Sequence, residues 1–354
     1  MKIVPLLLLS LLGALGATNV AAKECSPAKK ARVLEPATQK HKVAFLDCDL
    51  TLLEGETITK QVRIRGAKSS GVRLICRGGR IGLPGKRSLL YRKDIIQISS
   101  VRGKDNRWSR PEDVIIDGCT VNGAIRVSGL GPHGQAKFVK ASSRNGNHTE
   151  YAQSVAPRGI VLRNLVIRGD GRIPVYFSPG VTNSRLVNSR IIGNSVSSGI
   201  YLDAESAHNV ISGNVFEVRT AREILSIDGS AHNVVKNNKF YHADLGGVFI
   251  YRNCGEGGTA RHQKPRYNSV TGNTFYYDGG RNARPGVWLS FKSIQRVLFL
   301  CPQDAGIPYG SGTDDRNFAR QNTVSQNTFV GASGDTVLDW GENNKVFENR
   351  RVAR

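Results

Sequence analysis

Apolar residues in this chain recur mostly in short alternating runs, separated by Gly, Asn and Ser, and stretches with the helical interval are few. One frame returns several times: Asn-x-Φ-x-x-Asn-x-Φ, where Φ is apolar. It reads Asn209, Ile211, Asn214, Phe216; then Asn233, Val235, Asn238, Phe240; then Asn268, Val270, Asn273, Phe275; then Asn322, Val324, Asn327, Phe329. A frayed copy closes the chain at Asn344, Val346 and Asn349, and three earlier copies keep only the apolar frame: Ile116/Val121, Leu162/Ile167 and Leu186/Ile191. The first apolar positions are separated by 46, 24, 25, 24, 35, 54 and 22 residues. Alternation predicts short strands, Gly and Asn suit the tight turns between them, and a period near 24 predicts stacked coils. The long gaps read either as one coil with an insertion or as two coils with one degenerate. Candidate insertions are 131–156, 253–266 and 291–320, all rich in Gly, Pro or charge. Inward asparagines stacked coil upon coil would bond one another and the turn backbone, which makes them ladder residues rather than catalytic ones.

On these residues the chain resembles the right-handed parallel β-helix superfamily of pectate lyases, polygalacturonases and NosD-like periplasmic proteins. The resemblance covers residues 43–354 and is carried by the repeats from 209 to 329. It implies an all-β, single-stranded solenoid with coils of about 24 residues. Residues 43–81 resemble the opening coils of polysaccharide-active members, with a Cys at the first strand and another near a Gly-Gly turn. About activity the resemblance says little. The polygalacturonase set of Asn-Thr-Asp, Asp-Asp, Gly-His-Gly and Arg-Ile-Lys is missing, as is the Asp-Pro-His motif of alginate C5-epimerases. Arg252-Asn253 and Ser290-Phe291-Lys292 are loose echoes of the basic residues of lyases.

Lys2, an apolar run over 3–17 and Val20-Ala21-Ala22 predict a signal peptide cleaved after residue 22, then an N-terminal linker over 23–42. No segment is apolar for long enough to span a membrane, and Cys25 follows no lipobox. A periplasmic or secreted, monomeric protein is expected. All six cysteines lie beyond the cleavage site, in a compartment where disulfides persist. Location alone suggests Cys48 with Cys76 and Cys254 with Cys301, and Cys119 falls on a core position as a buried thiol. The formal net charge of +22 is spread along the whole chain and favours polyanions. Acidic polysaccharide, lipopolysaccharide, an anionic envelope surface or nucleic acid would answer to it, with plain solubility charge as the alternative. Export and the lack of a recognition motif argue against nucleic acid, and acidic polysaccharide is the expected partner.

Alternation also divides the strand before each Asn frame into two faces. Val175/Phe177, Ile200/Leu202, Leu225/Ile227, Val248/Ile250, Val287/Leu289 and Thr336/Leu338 point inward. Tyr176/Ser178, Tyr201/Asp203, Ser226/Asp228, Phe249/Tyr251, Trp288/Ser290 and Val337/Asp339 point outward. Tyr176, Tyr201, Phe249 and Trp288 form an aromatic strip on which sugar rings would stack, unless the 291–320 insertion folds over it. Asp203 and Asp228 end successive strands, near enough to act as acid and base or to share a cation such as Ca²⁺; no other cofactor is implied. With Tyr251, Arg252 and Lys292 they make a column suited to β-elimination on a uronate, in which cations neutralise the developing charge. A solvated row of strand-end charges is the plainer alternative. Arg261, His262 and Lys264, in the 253–266 insertion, would clamp the anionic chain. His208 and His232 stack on one edge, as turn residues or as the start of a metal site. Three functions are therefore in view: an exported lyase or hydrolase acting on a uronate-containing polysaccharide, a non-catalytic binder of envelope polysaccharide or a protein partner, and a NosD-like metal-associated protein.

Overall fold

The computed structural model describes residues 23–85, 94–253, 256–280, 282–290, 307, 309–310 and 318–354. Among the described residues, three parallel sheets of ten strands each follow the chain, which visits them in strict rotation. Sheet I begins at Val43–Phe45 and ends at Val337–Asp339, sheet II runs from Leu50–Leu53 to Lys345–Phe347, and sheet III from Thr57–Ile58 to Arg350–Val352. This is a parallel β-helix. The apolar frame sets the register. Ile116, Leu162, Leu186, Ile211, Val235, Val270, Val324 and Val346 pair in succession along sheet II. Every long gap is therefore a single coil carrying an excursion, never two coils.

Inward residues fill the bore. Phe216, Phe240, Phe275 and Phe329 are fully buried and stack at 4.8, 4.8 and 5.0 Å between ring centroids. Each such ring contributes roughly 2–3 kcal/mol of burial. The asparagines form two ladders flanking sheet II. Asn209, Asn233, Asn268 and Asn322 each donate a backbone N–H to the Oδ1 of the next ladder residue, at 2.8–3.0 Å. Asn214, Asn238, Asn273 and Asn327 repeat the pattern at 2.9–3.1 Å. The residue before each ladder position turns left-handed: His208 (φ 59°), His232 (57°), Tyr267 (57°) and Asn237 (56°) among them. At Gly213 (φ 67°) a Cβ would also sit 2.5 Å from Asn188 Oδ1, so a larger residue there would have to displace that side chain.

Three expectations need correction. Residues 23–42, expected as a linker, carry helix α1 (Pro27–Leu34), whose Ser26 cap accepts from the Lys29 N–H at 3.2 Å and whose Val33 is buried in the core. The segment closes the open end of the first coil, an edge that would otherwise be free to pair. The cysteines pair as Cys25–Cys48 and Cys76–Cys119, so Cys48–Cys76 is wrong and Cys119 is no thiol. Cys254 and Cys301 lie outside the described residues. In the last coil Val337 pairs with Val287 and Leu338 with Trp288, so its faces are shifted by one residue from the expected alternation.

Three described excursions share one corner, between sheets I and II. A hairpin (Val101–Arg102 with Trp108–Ser109), helices α2 (Lys137–Ser142) and α3 (His148–Val155), and a strap over 256–266 all leave there. No helix among the described residues is long and apolar enough to cross a membrane.

Candidate functional site

Sheet I presents its outward row as the alternation requires: Tyr176, Tyr201, Ser226, Phe249 and Trp288 are successive partners. The row is not an exposed strip. Tyr176 is 8% and Tyr201 7% exposed, Phe249 and Tyr251 are fully buried, and Trp288 is half-buried against Phe249 and Trp340. Described residues of the other two excursions cover its middle. The strap lies across the carboxylates, and α2 and α3 pack on the strap, where Ala260 N–H donates to Ser143 Oγ at 3.1 Å and His262 Nε2 meets Ser143 O at 2.7 Å. Only 307, 309–310 and 318–320 of the insertion expected to close over the row are described; Tyr309 among them packs on His262, with ring centroids 5.5 Å apart.

Asp203 and Asp228 do come together, and the cation they share is Arg261 rather than Ca²⁺. Arg261 Nη1 lies 2.6 Å from Asp203 Oδ1 and 3.5 Å from Asp228 Oδ2. Tyr176 donates to Asp203 Oδ2 and Tyr201 to Asp228 Oδ2, both at 2.6 Å. Asp203 Oδ1 also accepts from Ala204 N–H at 2.9 Å, and Asp228 accepts from the Asn253 N–H and side-chain amide, each at 2.8 Å. All four carboxylate oxygens are occupied and both side chains are fully buried.

The electrostatics match a closed latch. Burial, then the adjoining carboxylates, push the Tyr176 and Tyr201 phenols well above their usual range, so both remain donors. Burial works against the Arg261 charge, but Asp228 and Asp203 outweigh it and hold the guanidinium protonated. Burial also raises Asp228, and Asp203 adds to the rise against the pull of Arg261 and Tyr201. Removing one member of such a buried set strands the others, whereas the intact set is neutral in its effect or nearly so.

The remaining expected residues fall in place around this latch. Arg252 is buried and its Nη1 reaches Arg261 O at 3.4 Å, holding the strap down. His262 and Gln263 donate their backbone N–H groups to Glu205 at 2.8 and 3.0 Å, so the strap folds inward instead of projecting as a clamp. Lys264 is half-buried in the strap. Lys292 lies outside the described residues. His208 and His232 stack at 4.7 Å and continue onto Tyr267 at 5.0 Å, and among the described residues no cluster of His, Cys, Asp and Glu is arranged to hold a metal.

Sequence reasoning missed two features. Glu223 is fully buried beside Tyr251; its Oε1 accepts from Tyr251 OH and Arg222 at 3.1 Å each and from Ser226, while Oε2 has no hydrogen-bond partner among the described residues. Arg222 also donates to Tyr251 OH at 2.8 Å. Two adjacent charges just before an apolar strand were the only signal. The second feature is an open cleft of about 380 Å³ between the hairpin and α2–α3. Arg102, Trp108, Leu130, Phe138, Asn145, Asn147 and Tyr151 line it, with Ser142 at its floor. Trp108 and Phe138 meet edge to face at 5.4 Å, and the Arg102 guanidinium sits 4.8 Å over the Phe138 ring. Its aromatics are scattered over a hairpin and two short helices, with no repeat to flag them.

No family model and no curated protein matches the chain. Among solved structures, an alginate lyase from Paenibacillus sp. superposes with a TM-score of 0.53 over 86% of this chain and 88% of its own, at 15% identity. The chain is a right-handed parallel β-helix. The surface adhesin PfbA of Streptococcus pneumoniae (TM-score 0.48, 11% identity, 87% of this chain and 80% of that one) and a periplasmic alginate epimerase (0.44, 10%, 91% and 80%) are also similar. At these identities the likeness of this β-helix to its neighbours is one of fold.

Proposed function

We propose that this β-helix is an exported protein that engages an acidic, uronate-containing polysaccharide in the cleft between the hairpin and α2–α3. The observation that carries the reading is the cleft itself. Three rings, of Trp108, Phe138 and Tyr151, surround an open space beside the Arg102 guanidinium and the side-chain amides of Asn145 and Asn147. Rings stack on the apolar faces of sugars, amides bond hydroxyls, and a guanidinium pairs with carboxylate in bidentate fashion. The charge of +22 supports an anionic ligand by raising its local concentration. The alginate lyase of like fold is named for an acidic polysaccharide, and that substrate class is carried over as part of the proposal.

Calorimetric titration with oligouronates tests it. Trp108→Ala and Arg102→Ala are each expected to weaken binding at least about tenfold, and Arg102→Ala to flatten its salt dependence. Binding unchanged in both variants would overturn the cleft as the site.

A second reading, β-elimination or hydrolysis on the outward face of sheet I, draws on the free Oε2 of Glu223 beside Tyr251 and Arg222. Incubation with alginate, pectate and glycosaminoglycans distinguishes it. Unsaturated products or new reducing ends, lost in Glu223→Gln, would favour it. None on any acidic glycan would leave a non-catalytic role for that face. The Asp203–Asp228 pair belongs to neither reading, because its four oxygens are engaged.

A further inference from the structure

At the floor of the cleft, Ser142 Oγ lies 3.0 Å from His148 Nδ1. The other ring nitrogen, Nε2, lies 4.0 Å from Glu205 Oε1. We propose that Ser142, His148 and Glu205 form a nucleophile–base–carboxylate relay that hydrolyses ester bonds on a ligand held in the cleft. That the ester is an O-acyl group on a sugar rests on the reading of the cleft given above; the relay itself does not.

The arrangement is unlike an ordinary helix hydrogen bond. The neighbouring Ser143 returns its hydroxyl to its own helix, donating to Lys140 O at 2.9 Å, as hydroxyls near helix ends commonly do. Ser142 instead faces the imidazole, and it borders the open cleft while His148 and Glu205 are sealed behind it, each 1% exposed at the side chain. A carboxylate on the Nε2 side favours the tautomer with hydrogen on that nitrogen, which turns the Nδ1 lone pair toward Ser142. The base is thus aimed at the nucleophile, and Glu205 is placed to stabilise the imidazolium that forms. Glu205 is itself fixed. Thr149, His262 N–H and Gln263 N–H donate to its oxygens, and its backbone is left-handed at φ 63°. That conformation belongs to the coil's own turn, which Gly180 (φ 85°) and Gly229 (φ 57°) adopt in the neighbouring coils.

The charged groups facing His148 are Glu205 and Glu150, which favour its protonation, and His262 and Arg261, which oppose it. Burial is the largest influence and holds the imidazole below its ordinary 6.5, so it is neutral and able to accept a proton at pH 7. The step balances without any further reactant. As Ser142 Oγ attacks the acyl carbon, its proton passes to His148 Nδ1. The tetrahedral adduct expels the alcohol oxygen, which takes that proton, and the acyl group remains on Ser142. Water then attacks the acyl-serine, giving its proton to His148, and the collapse returns it to Ser142 Oγ. Asn145 and Asn147 line the same cleft; Asn145 Nδ2 donates to Ser142 O at 3.3 Å and has a second N–H to offer the oxyanion.

The test uses the full-length protein with a fluorophosphonate probe, p-nitrophenyl acetate and an acetylated polyuronate. A probe adduct on the peptide containing Ser142 is expected, together with release of p-nitrophenol and acetate. Ser142→Ala, which deletes one oxygen and is expected to melt as the parent does, should lose the adduct and at least about a hundredfold in rate. His148→Gln guards against a surface artefact and should lose both signals too. Glu205→Gln should lower kcat with little change in KM and displace the acid limb of the pH profile, a readout that a purely structural carboxylate would leave in place. A folded protein without an adduct on Ser142, or a Ser142→Ala variant hydrolysing at the parental rate, would overturn the relay. Ester-free oligouronates separate the two readings: labelling without their binding sinks the sugar cleft alone, and binding without labelling sinks the relay alone.

Discussion

The ladders make a position-dependent forecast of stability. Asn238 is 1% exposed, and its side chain serves four bonds: Oδ1 accepts from the Asn214 N–H and the Asn214 side-chain amide, and Nδ2 donates to Ile211 O and Asn273 Oδ1, all at 2.9 Å. Asn238→Ala removes all four and leaves the Asn214 N–H buried without an acceptor. At about 1 kcal/mol per bond, with the orphaned amide toward the upper end, the loss is about 4 kcal/mol. Asn349 occupies the same ladder at its last rung. Its Oδ1 accepts from the Asn327 N–H and amide at 3.1 and 2.9 Å and its Nδ2 reaches Val324 O at 2.9 Å, but it is half-buried. Water replaces most of what Asn349→Ala removes, so about 1 kcal/mol is expected. Urea unfolding followed by circular dichroism compares the two, with the slope checked because coils of a solenoid can uncouple. Equal losses for Asn238→Ala and Asn349→Ala at unchanged slope would refute the account of the ladder as a buried hydrogen-bond column.

Other consequences follow from the latch and the staples. Arg261→Met leaves Asp203 and Asp228 facing each other without a cation, and a loss of about 3–5 kcal/mol is expected by thermal unfolding. Adding Asp203→Asn and Asp228→Asn to that variant should recover part of the loss, and a further fall would show that charge is not what Arg261 supplies. Alkali should unfold the protein for a stated reason. Burial, then nearby carboxylates, raise Tyr176, Tyr201, Tyr251 and Tyr277 above the ordinary 10, so above that pH the unfolded chain loses protons that the native state keeps. Stability falls with rising pH there, by up to about 5 kcal/mol per pH unit, and Tyr176→Phe should remove about one proton from the slope. Reduction of Cys25–Cys48 and Cys76–Cys119, which close loops of 23 and 43 residues, should cost roughly 3–4 kcal/mol each by chain entropy and loosen the first coils before the others. Proteolysis starting instead in the Asn-laddered coils would contradict that order.

The register of sheet II was legible residue by residue, because an apolar side chain that must fill a closed bore leaves an unbroken signal. Ile211, Val235 and Val270 pair at the positions their spacing required. Cys76–Cys119 was not legible: sequence separation says nothing about which coils lie side by side, and an excursion between two coils hides their adjacency. The outward row of sheet I was correct in direction and wrong in exposure. Alternation tells which way Tyr176 and Tyr201 point, but what lies on top of them is set by excursions with no period of their own. For the same reason Trp108, Phe138 and Tyr151 carried no warning that they would share a cleft. In the last coil the faces shift by one at Val337, where Val337 and Leu338 are both half-buried and no contrast of burial marks the phase.

Ladder and excursions explain each other. The hairpin, the helix pair and the strap leave after a strand of sheet I, and each coil re-enters at the bend before sheet II through a left-handed residue, followed from Asn209 onward by a ladder asparagine. Bridges at that bend run from Glu112 through Arg158, Thr182 and Ala207 to Ala231, and again from Arg266 through Arg320 to Glu342. A chain returning after 24, 35 or 54 residues therefore meets the same two constraints, a left-handed turn and an asparagine whose Oδ1 and amide are already claimed by the coils on either side. The register is restored whatever the excursion's length, so length and chemistry at this corner are free to vary while the bore is not. Strap, helix pair and hairpin all grow from that one tolerant corner, which is why the latch, the cleft and the Ser142–His148–Glu205 contact lie together there although they come from coils far apart in sequence.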